Sequence, residues 1–443
     1  MKKIQSLSES SFLKLFFAFI TACFLIAAVC LPDRGQMLSG LWRIFRSTCK
    51  ISTNFFAIGG FSATFLNMGL VGLICLGLFL LPEAKATNAS NLGFLLTVGF
   101  GSWGIHPVNM APTVMGVLLY CLVKKEKPGT QVNAMLFSTG IAPLISELLL
   151  RYPGTEVGFS WVGLGLALVV GLAIGFFLPA GLSFSPKIHG GFDLYSAALP
   201  IGMTAFFLQA ALYKTTGVAL PEVADTLGVT SRITANSFCI TVFALCVVFA
   251  LLLGCKPKQY WQLLTDPDLV TDFAQRYGNA VFLMNVGMFG LMILGYYNLI
   301  GASFNGITFG IVFCMLATCN SGSHPGNVWP IMVGYALASL VFGWVSGLAG
   351  GSFAGVLNAQ AIVVGLCYAN GLSPISDKYG FPFGILAGFM HYTLVTSVPA
   401  LHGGFCLYNG GFTAALICII LVPSLERFFR TKEQRKLKDQ TKA

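Results

Sequence analysis

Apolar stretches long enough to cross a lipid bilayer follow one another along nearly the whole sequence. They fall at 12–31, 63–81, 91–123, 131–150, 161–182 and 190–212, then at 235–255, 280–300, 301–344, 352–371, 381–401 and 403–423. A single helix crosses the hydrocarbon with about 20 residues. Soluble domains carry roughly a quarter charged residues. Here 9% of 443 residues are charged and 56% are hydrophobic, which is too little charge to coat a surface facing water. A cytosolic enzyme, a secreted disulfide scaffold and a disordered chain are excluded. What remains is an all-α polytopic membrane protein of about 10–12 transmembrane helices, with the lipid bilayer as its first partner.

The net charge of +10 does not point to nucleic acid, because much of it is concentrated after the last apolar stretch, from Arg427 to Lys442. A basic tail directly behind a span reads as a cytoplasmic anchor beside anionic lipid. The cysteines stand mostly singly inside apolar runs (Cys23, Cys75, Cys121, Cys246, Cys314, Cys418), without CxxC or zinc spacing, so they read as small apolar residues rather than metal ligands. Nothing calls for a cofactor or a metal. Lys2 and Lys3 before the run 12–31 resemble a signal sequence, but the run is long and has a counterpart later in the chain, which makes it a retained span.

The sequence is duplicated. At an offset of 218, Asn67, Gly69, Gly72 and Gly77 meet Asn285, Gly287, Gly290 and Gly295, and His106, Pro107, Asn109 and Pro112 meet His324, Pro325, Asn327 and Pro330. The stretch Gly140–Glu147 is echoed by Gly371–Asp377, and His189-Gly-Gly-Phe-Asp-Leu-Tyr195 by His402-Gly-Gly-Phe-Cys-Leu-Tyr408. Glycines match cheaply in a glycine-rich chain, whereas His, Asn and acids in the same order do not. The division is a first membrane repeat at 1–214, a connecting loop at 215–234, a second repeat at 235–425 and a basic tail at 426–443. The glycines of 69–77 and 287–295, three to five residues apart, are a helix-packing signal.

The stretches 91–123 and 301–344 are too long for one crossing, and each is interrupted by His-Pro-x-Asn. Proline drives His106 and His324 out of the helical conformation. Asn109 and Asn327 can then cap a new helix, with Pro112 and Pro330 in its first turn. Each stretch is expected to be a re-entrant pair of half-helices, broken where the backbone is buried in protein or faces a watery cavity. That leaves five full crossings per half, an odd number, which makes the repeats inverted. Lys2, Lys3, the Lys124–Lys127 loop, Lys256, Lys258 and the tail then share one side, and Arg34, Arg43, Arg46 and Lys50 are the misfit. Six crossings per half with parallel repeats is the competing topology.

Four of the five histidines belong to the repeated motifs. Inverted halves would bring His106–Asn109 and His324–Asn327 nose to nose at the midplane, where helix N-termini, amides and imidazoles could hold a small polar or anionic solute. The plainer alternative is that each imidazole caps its own loop. His189, His402, Tyr195 and Tyr408 are expected either to wall the same path or to form tight turns with a Tyr at headgroup level. Asp193 corresponds to Cys406, so it is either a counter-charge to Lys187 or a coupling carboxylate. Glu147 and Asp377 could couple transport to Na⁺ or protons, or could form boundary ion pairs with Arg151 and Lys378.

The combination of His-Pro-x-Asn with His-Gly-Gly-Phe-x-Leu-Tyr-Asn-Gly-Gly-Phe (402–412) resembles a family of bacterial multi-pass membrane proteins catalogued only as a domain of unknown function. The resemblance implies a bacterial inner-membrane location, with both termini cytoplasmic under the odd-crossing scheme, and implies no activity. The first half departs from it at Ser196-Ala197-Ala198. Five crossings and a re-entrant element per half are similar in arrangement to urea and ammonium channels, whose motifs are not present. The expected function is a transporter or channel, not an enzyme, that could assemble as a homo-oligomer. The alternative is an intramembrane enzyme or a phosphotransfer-type sugar permease using a His. A structural scaffold would not need the paired His and Asn.

Overall fold

The computed structural model describes residues 7–222, 226–265 and 271–442, and among them the regular elements are all helical. Lys2 and Lys3 lie outside the described residues. The first repeat runs through α1 (Glu9–Cys30), α2 (Met37–Phe45), α3 (Phe61–Leu78), α4 (Asn88–Phe100), α5 (Pro107–Lys124), α6 (Val132–Ser138), α7 (Ala142–Leu150), α8 (Trp161–His189) and α9 (Ala198–Gln209). The second repeats that order: α10 (Arg232–Leu252), α11 (Pro257–Leu264), α12 (Asn279–Leu299), α13 (Gly306–Leu316), α14 (Pro325–Leu348), α15 (Gln360–Ala369), α16 (Ser373–Tyr379), α17 (Phe381–Val395) and α18 (Asn409–Phe428). The basic tail forms α19 (Lys432–Lys442). Nine helical stretches among the described residues are long and apolar enough to cross a membrane, and Gly306–Asn320 and Phe381–Val395 are shorter apolar helices. The protein is a multi-pass membrane protein.

Hydrogen bonds between loops sort the helix ends into two groups. At one end, the start of α1 meets the loop after α3, where Lys14 Nζ donates to Phe79 O and Ala84 O at 2.9 and 3.0 Å. Lys127 pairs with Glu83 there, Asn279 Nδ2 donates to Leu7 O, and Arg435 of α19 donates to Tyr379 O at the end of α16. This is called the near end. At the far end, Ile51 N donates to Gly404 O, Lys50 Nζ to Pro221 O, and Asn54 Nδ2 to Thr226 O and Val229 O. Between these ends the first repeat crosses through α1, α3, the discontinuous pair α6–α7, α8 and α9. The α4–α5 hairpin enters and leaves at the near end. In the second repeat the corresponding α13–α14 hairpin belongs to the far end.

The two hairpins meet through α4 and α13. Asn91 Nδ2 donates to Ala317 O at 3.0 Å, the Cys314 thiol faces Leu96 O, and Ser102 Oγ donates to Gly306 O at 2.6 Å. Residue numbers fall along one helix as they rise along the other, so these equivalent helices pack antiparallel. Every residue of α13, and α4 from Ser90 onward, is buried. Helices apolar all round fit only such a place, because they have no polar face to present.

The glycine signal has the packing meaning expected of it at some positions. A Cβ on Gly72 would lie 2.5 Å from Thr21 Oγ1, and one on Gly287 would lie 2.5 Å from Val247 Cγ2, so α3 lies tight on α1 and α12 tight on α10. Gly77 and Gly295 face open space instead.

Candidate functional site

The repeated polar residues first build the helix breaks. Asn67 Nδ2 on α3 donates to Gly101 O and Ile105 O at 2.7 and 2.8 Å. Asn285 Nδ2 on α12 donates to Cys319 O and Ser323 O at 2.8 and 3.0 Å. Each asparagine thus holds two carbonyls that the interruption of α4 or α13 leaves without helical partners. This role was legible only as a matched pair of Asn at the repeat offset.

The cap of each following half-helix is the histidine itself, a correction to the expectation that Asn109 and Asn327 cap. His106 has extended φ/ψ, Pro107 occupies the first helical position, and Asn109 is the third residue of α5. His106 Nδ1 accepts from Asn109 N at 3.4 Å, while Asn109 Oδ1 accepts from His106 N at 2.9 Å, a reciprocal box. In α14, Gly326 N donates to His324 Nδ1 at 3.1 Å and His324 N donates to Asn327 Oδ1 at 3.0 Å. Pro112 and Pro330 lie inside the helices rather than in the first turn.

The breaks do not meet at the midplane. His106 bonds Ser146 Oγ at 3.1 Å and packs against Phe45, all in its own repeat, whereas His324 packs against Phe273 in the other. Because α4 and α13 lie side by side along their length, their breaks fall at opposite ends of the pair, separated by about 20 Å for a helix of this length. The nose-to-nose arrangement is therefore replaced by a side-by-side one.

The acidic partners follow the same division. Glu147 forms a bidentate pair with Arg151 at 2.7 Å for both bonds, which is the boundary ion pair anticipated from the sequence. Asp377 Oδ2 accepts from Asn327 Nδ2 at 2.6 Å and interacts with Lys432 of α19, while the Lys378 ammonium lies 4.8 Å over the Phe192 ring. Its equivalent contact in the first repeat is made by Ser146, to which Asn109 Nδ2 donates at 2.9 Å.

The His-Gly-Gly-Phe turns join the repeats. Gly190 and Gly191 have φ of +61° and +83°, and Gly403 and Gly404 have +62° and +81°, a backbone that L side chains rarely adopt. His189 Nδ1 accepts from Asp193 N and its Nε2 meets Ser196 Oγ at 2.8 Å. His402 Nδ1 accepts from Cys406 N and its Nε2 meets Asn409 Oδ1 at 2.8 Å. A ring nitrogen that accepts a backbone N–H leaves the proton on the other nitrogen, so both imidazoles are neutral turn braces. Each turn then reaches into the opposite repeat: Leu194 N donates to Gly371 O at 3.0 Å, and Leu407 N donates to Gly140 O at 2.9 Å. Tyr195 and Tyr408 are fully buried at this junction rather than at headgroup level. Tyr195 OH donates to Cys314 O at 2.9 Å and to Cys367 O at 3.2 Å, whereas Tyr408 OH is buried with no partner.

Beside each turn lies a cavity. The near-end cavity, about 310 Å³, is lined among others by Leu182, Pro186, His189, Asp193, Ser196 and Ser321. The far-end cavity, about 230 Å³, is lined among others by Ser52, Gln360, Val395, Pro399 and Asn409. Val395, Pro399 and Asn409 are the repeat equivalents of Leu182, Pro186 and Ser196, so the two cavities correspond. Among the described residues Asp193 is the only charged one lining either cavity. Its Oδ1 accepts from Tyr195 N at 2.9 Å and its Oδ2 is buried without a partner. Burial pushes this carboxyl up to about 8, against the pull of the Tyr195 N–H. Lys187 is not its counter-charge, since that ammonium lies 5.7 Å over the Phe184 ring.

A family model described as a protein of unknown function (DUF1576) matches residues 33–214 and 256–427, one stretch in each repeat. No curated protein and no solved structure matches the chain.

Proposed function

The chain belongs to the DUF1576 family of proteins of unknown function, and from its own residues we propose that it is a transporter or channel for a small polar solute. The path runs from the near-end cavity to the far-end cavity through the junction of the two His-Gly-Gly-Phe turns. The observation that carries this reading is the pair of cavities, lined by equivalent residues at opposite ends of the bundle. A scaffold has no use for two equivalent cavities, each carrying a few polar groups, in register with a duplicated, interlocked turn. The path is closed midway by Tyr195, Tyr408 and their glycine partners, so passage requires the turns to slide or separate. Neither cavity is lined by Lys or Arg, which favours a neutral or cationic solute over the anion allowed by the sequence. The His-Pro-x-Asn residues act in this scheme as positioning residues for the half-helices.

The repeats are inverted across the bilayer in this reading, supported by the antiparallel packing of α4 on α13. The near end faces the cytoplasm of a bacterial cell, and both termini lie there. The far end holds Arg34, Arg43, Arg46, Lys50, Arg151, Lys214 and Arg232, while the other described Lys and Arg fall at the near end, as the positive-inside tendency requires. The enzyme and phosphotransfer alternative gains nothing from four of the five imidazoles. His106, His189, His391 and His402 each use both ring nitrogens in internal hydrogen bonds.

Cysteine labelling in sealed vesicles of known orientation tests the proposal. Ser196→Cys should react with an impermeant maleimide from the near side only, and Asn409→Cys from the far side only. Folded protein in which neither position reacts from either side would rule out an aqueous path through these cavities.

A further inference from the structure

We propose that the near-end cavity is a binding site for a small monovalent cation, held by the Asp193 carboxylate, and that the far-end cavity has no such site. The inference starts from one atom. Asp193 is 2% exposed and lines a cavity of about 310 Å³, and its Oδ2 accepts no hydrogen bond. A buried carboxylate oxygen without a partner is costly unless a cation or proton meets it. Among the described residues no cation pairs with it: Lys187 and Lys378 are both seated over aromatic rings, at Phe184 and Phe192.

The cavity offers further oxygens. Asn88, Ser196 and Ser321 line it with Asp193, and Ser196 Oγ keeps a lone pair after meeting His189 Nε2. One carboxylate with neutral oxygens matches a single positive charge, whereas a divalent ion is ordinarily held by more than one carboxylate or by waters and phosphates. The shared chemistry is that of Na⁺, K⁺ and an ammonium group, and the last could belong to the solute itself. In the second repeat Cys406 stands at the equivalent position and the far-end cavity has no charged lining. A cation held at one end only gives an otherwise symmetric path a direction. That role rests on the transport reading; the binding does not.

A proton competes for the same oxygen. The titratable groups facing Asp193 are His189 on α8, Tyr195 on its own turn and Cys418 on α18, with Lys378 of α16 turned to Phe192. None of them is a cation directed at the carboxylate, so the cation's hold should weaken as Asp193 protonates.

The test is thermal unfolding of the purified full-length protein in detergent, at about pH 9 and about pH 6, in chlorides of sodium, potassium, methylammonium or choline at equal ionic strength. Choline has no N–H to donate and its methyl groups hold its charge away from a carboxylate oxygen, so it sets the baseline. At least one small cation should raise the midpoint saturably at about pH 9, with apparent affinity on the order of a hundredfold weaker at about pH 6. A response to sodium or potassium identifies a free ion, and a response to methylammonium alone identifies a solute-borne charge. Asp193→Asn should abolish the shift. If the wild-type chain unfolds cooperatively with the same midpoint in every chloride at about pH 9, or Asp193→Asn keeps the shift, the proposal is overturned. Should Asp193→Asn not fold, the wild-type pH dependence decides by itself, since a shift equal at both pH values also overturns it. This readout is independent of flux, so it can fail while the cavity labelling above succeeds, and the reverse.

Discussion

Leu194 of the first repeat donates its N–H to Gly371 of the second at 3.0 Å, and this bond seats Tyr195 against a glycine whose missing side chain makes the room. A Cβ on Gly371 would lie 2.6 Å from Tyr195 Cδ2, and one on Gly140 would fall on the Tyr408 ring. The repeats are therefore locked by two equivalent insertions.

Gly371→Ala and Gly140→Ala should each destabilise the protein by about 1–3 kcal/mol, the usual cost of overpacking a filled core. Gly295→Ala is the comparison: a Cβ there meets nothing within 4 Å, and a helix interior gains about 0.5–1 kcal/mol from the exchange. Thermal unfolding in detergent should place both of the first two variants below the wild type and Gly295→Ala above it.

Asn67→Ala and Asn285→Ala should each cost about 1–2 kcal/mol, because each leaves two buried carbonyls at a helix break without a donor. The two sites share no partner, so the double variant should show the sum of the single losses. A double variant no worse than either single one would mean that the two breaks loosen together.

Glu147 and Arg151 are expected to act in stability rather than coupling. Their side chains are 2% and 9% exposed, so Arg151→Met leaves a buried carboxylate alone and should cost about 3–5 kcal/mol. Glu147→Gln with Arg151→Met removes both charges and should recover part of that loss. In the double variant the response to small cations should match the wild-type response.

The pH dependence carries the sign of a raised carboxyl. Asp193 titrates near the ordinary 3.8 when unfolded and at about 8 when folded, so the folded state binds the proton more tightly. Its contribution to stability is complete below about 4 and is lost as pH rises towards about 8. In choline chloride the unfolding midpoint should therefore fall across that window, and Asp193→Asn should flatten the fall. An unchanged slope in Asp193→Asn would assign the dependence to other groups.

The apolar runs, the breaks in the two longest stretches and the pairing of equivalent motifs were all legible from the residues, since spacing and proline placement act locally. His-Pro-x-Asn announced a helix break wherever the chain carried it. That the histidine rather than the asparagine would cap was a matter of three residues in register, since Asn109 and Asn327 are the third residues of the helices that His106 and His324 cap. The Glu147–Arg151 pair was legible for the same reason, lying one helical turn apart. The partners of Asn67, Asn285 and Tyr195 and the packing place of Tyr408 on Gly140 were not legible, because each belongs to a segment distant in sequence or to the other repeat.

By itself the sequence determined that this chain lives in a bilayer as two copies of one helical unit, because hydropathy, repeat offset and proline sterics depend only on neighbours along the chain. The tertiary structure decided that the equivalent half-helices lie side by side instead of tip to tip, and that the glycine-rich turns are exchanged between repeats. It also decided that one carboxylate is left without a partner beside a cavity. Those outcomes are set by which buried surfaces fit together across distant segments, and side-chain packing of that kind leaves no trace in local order.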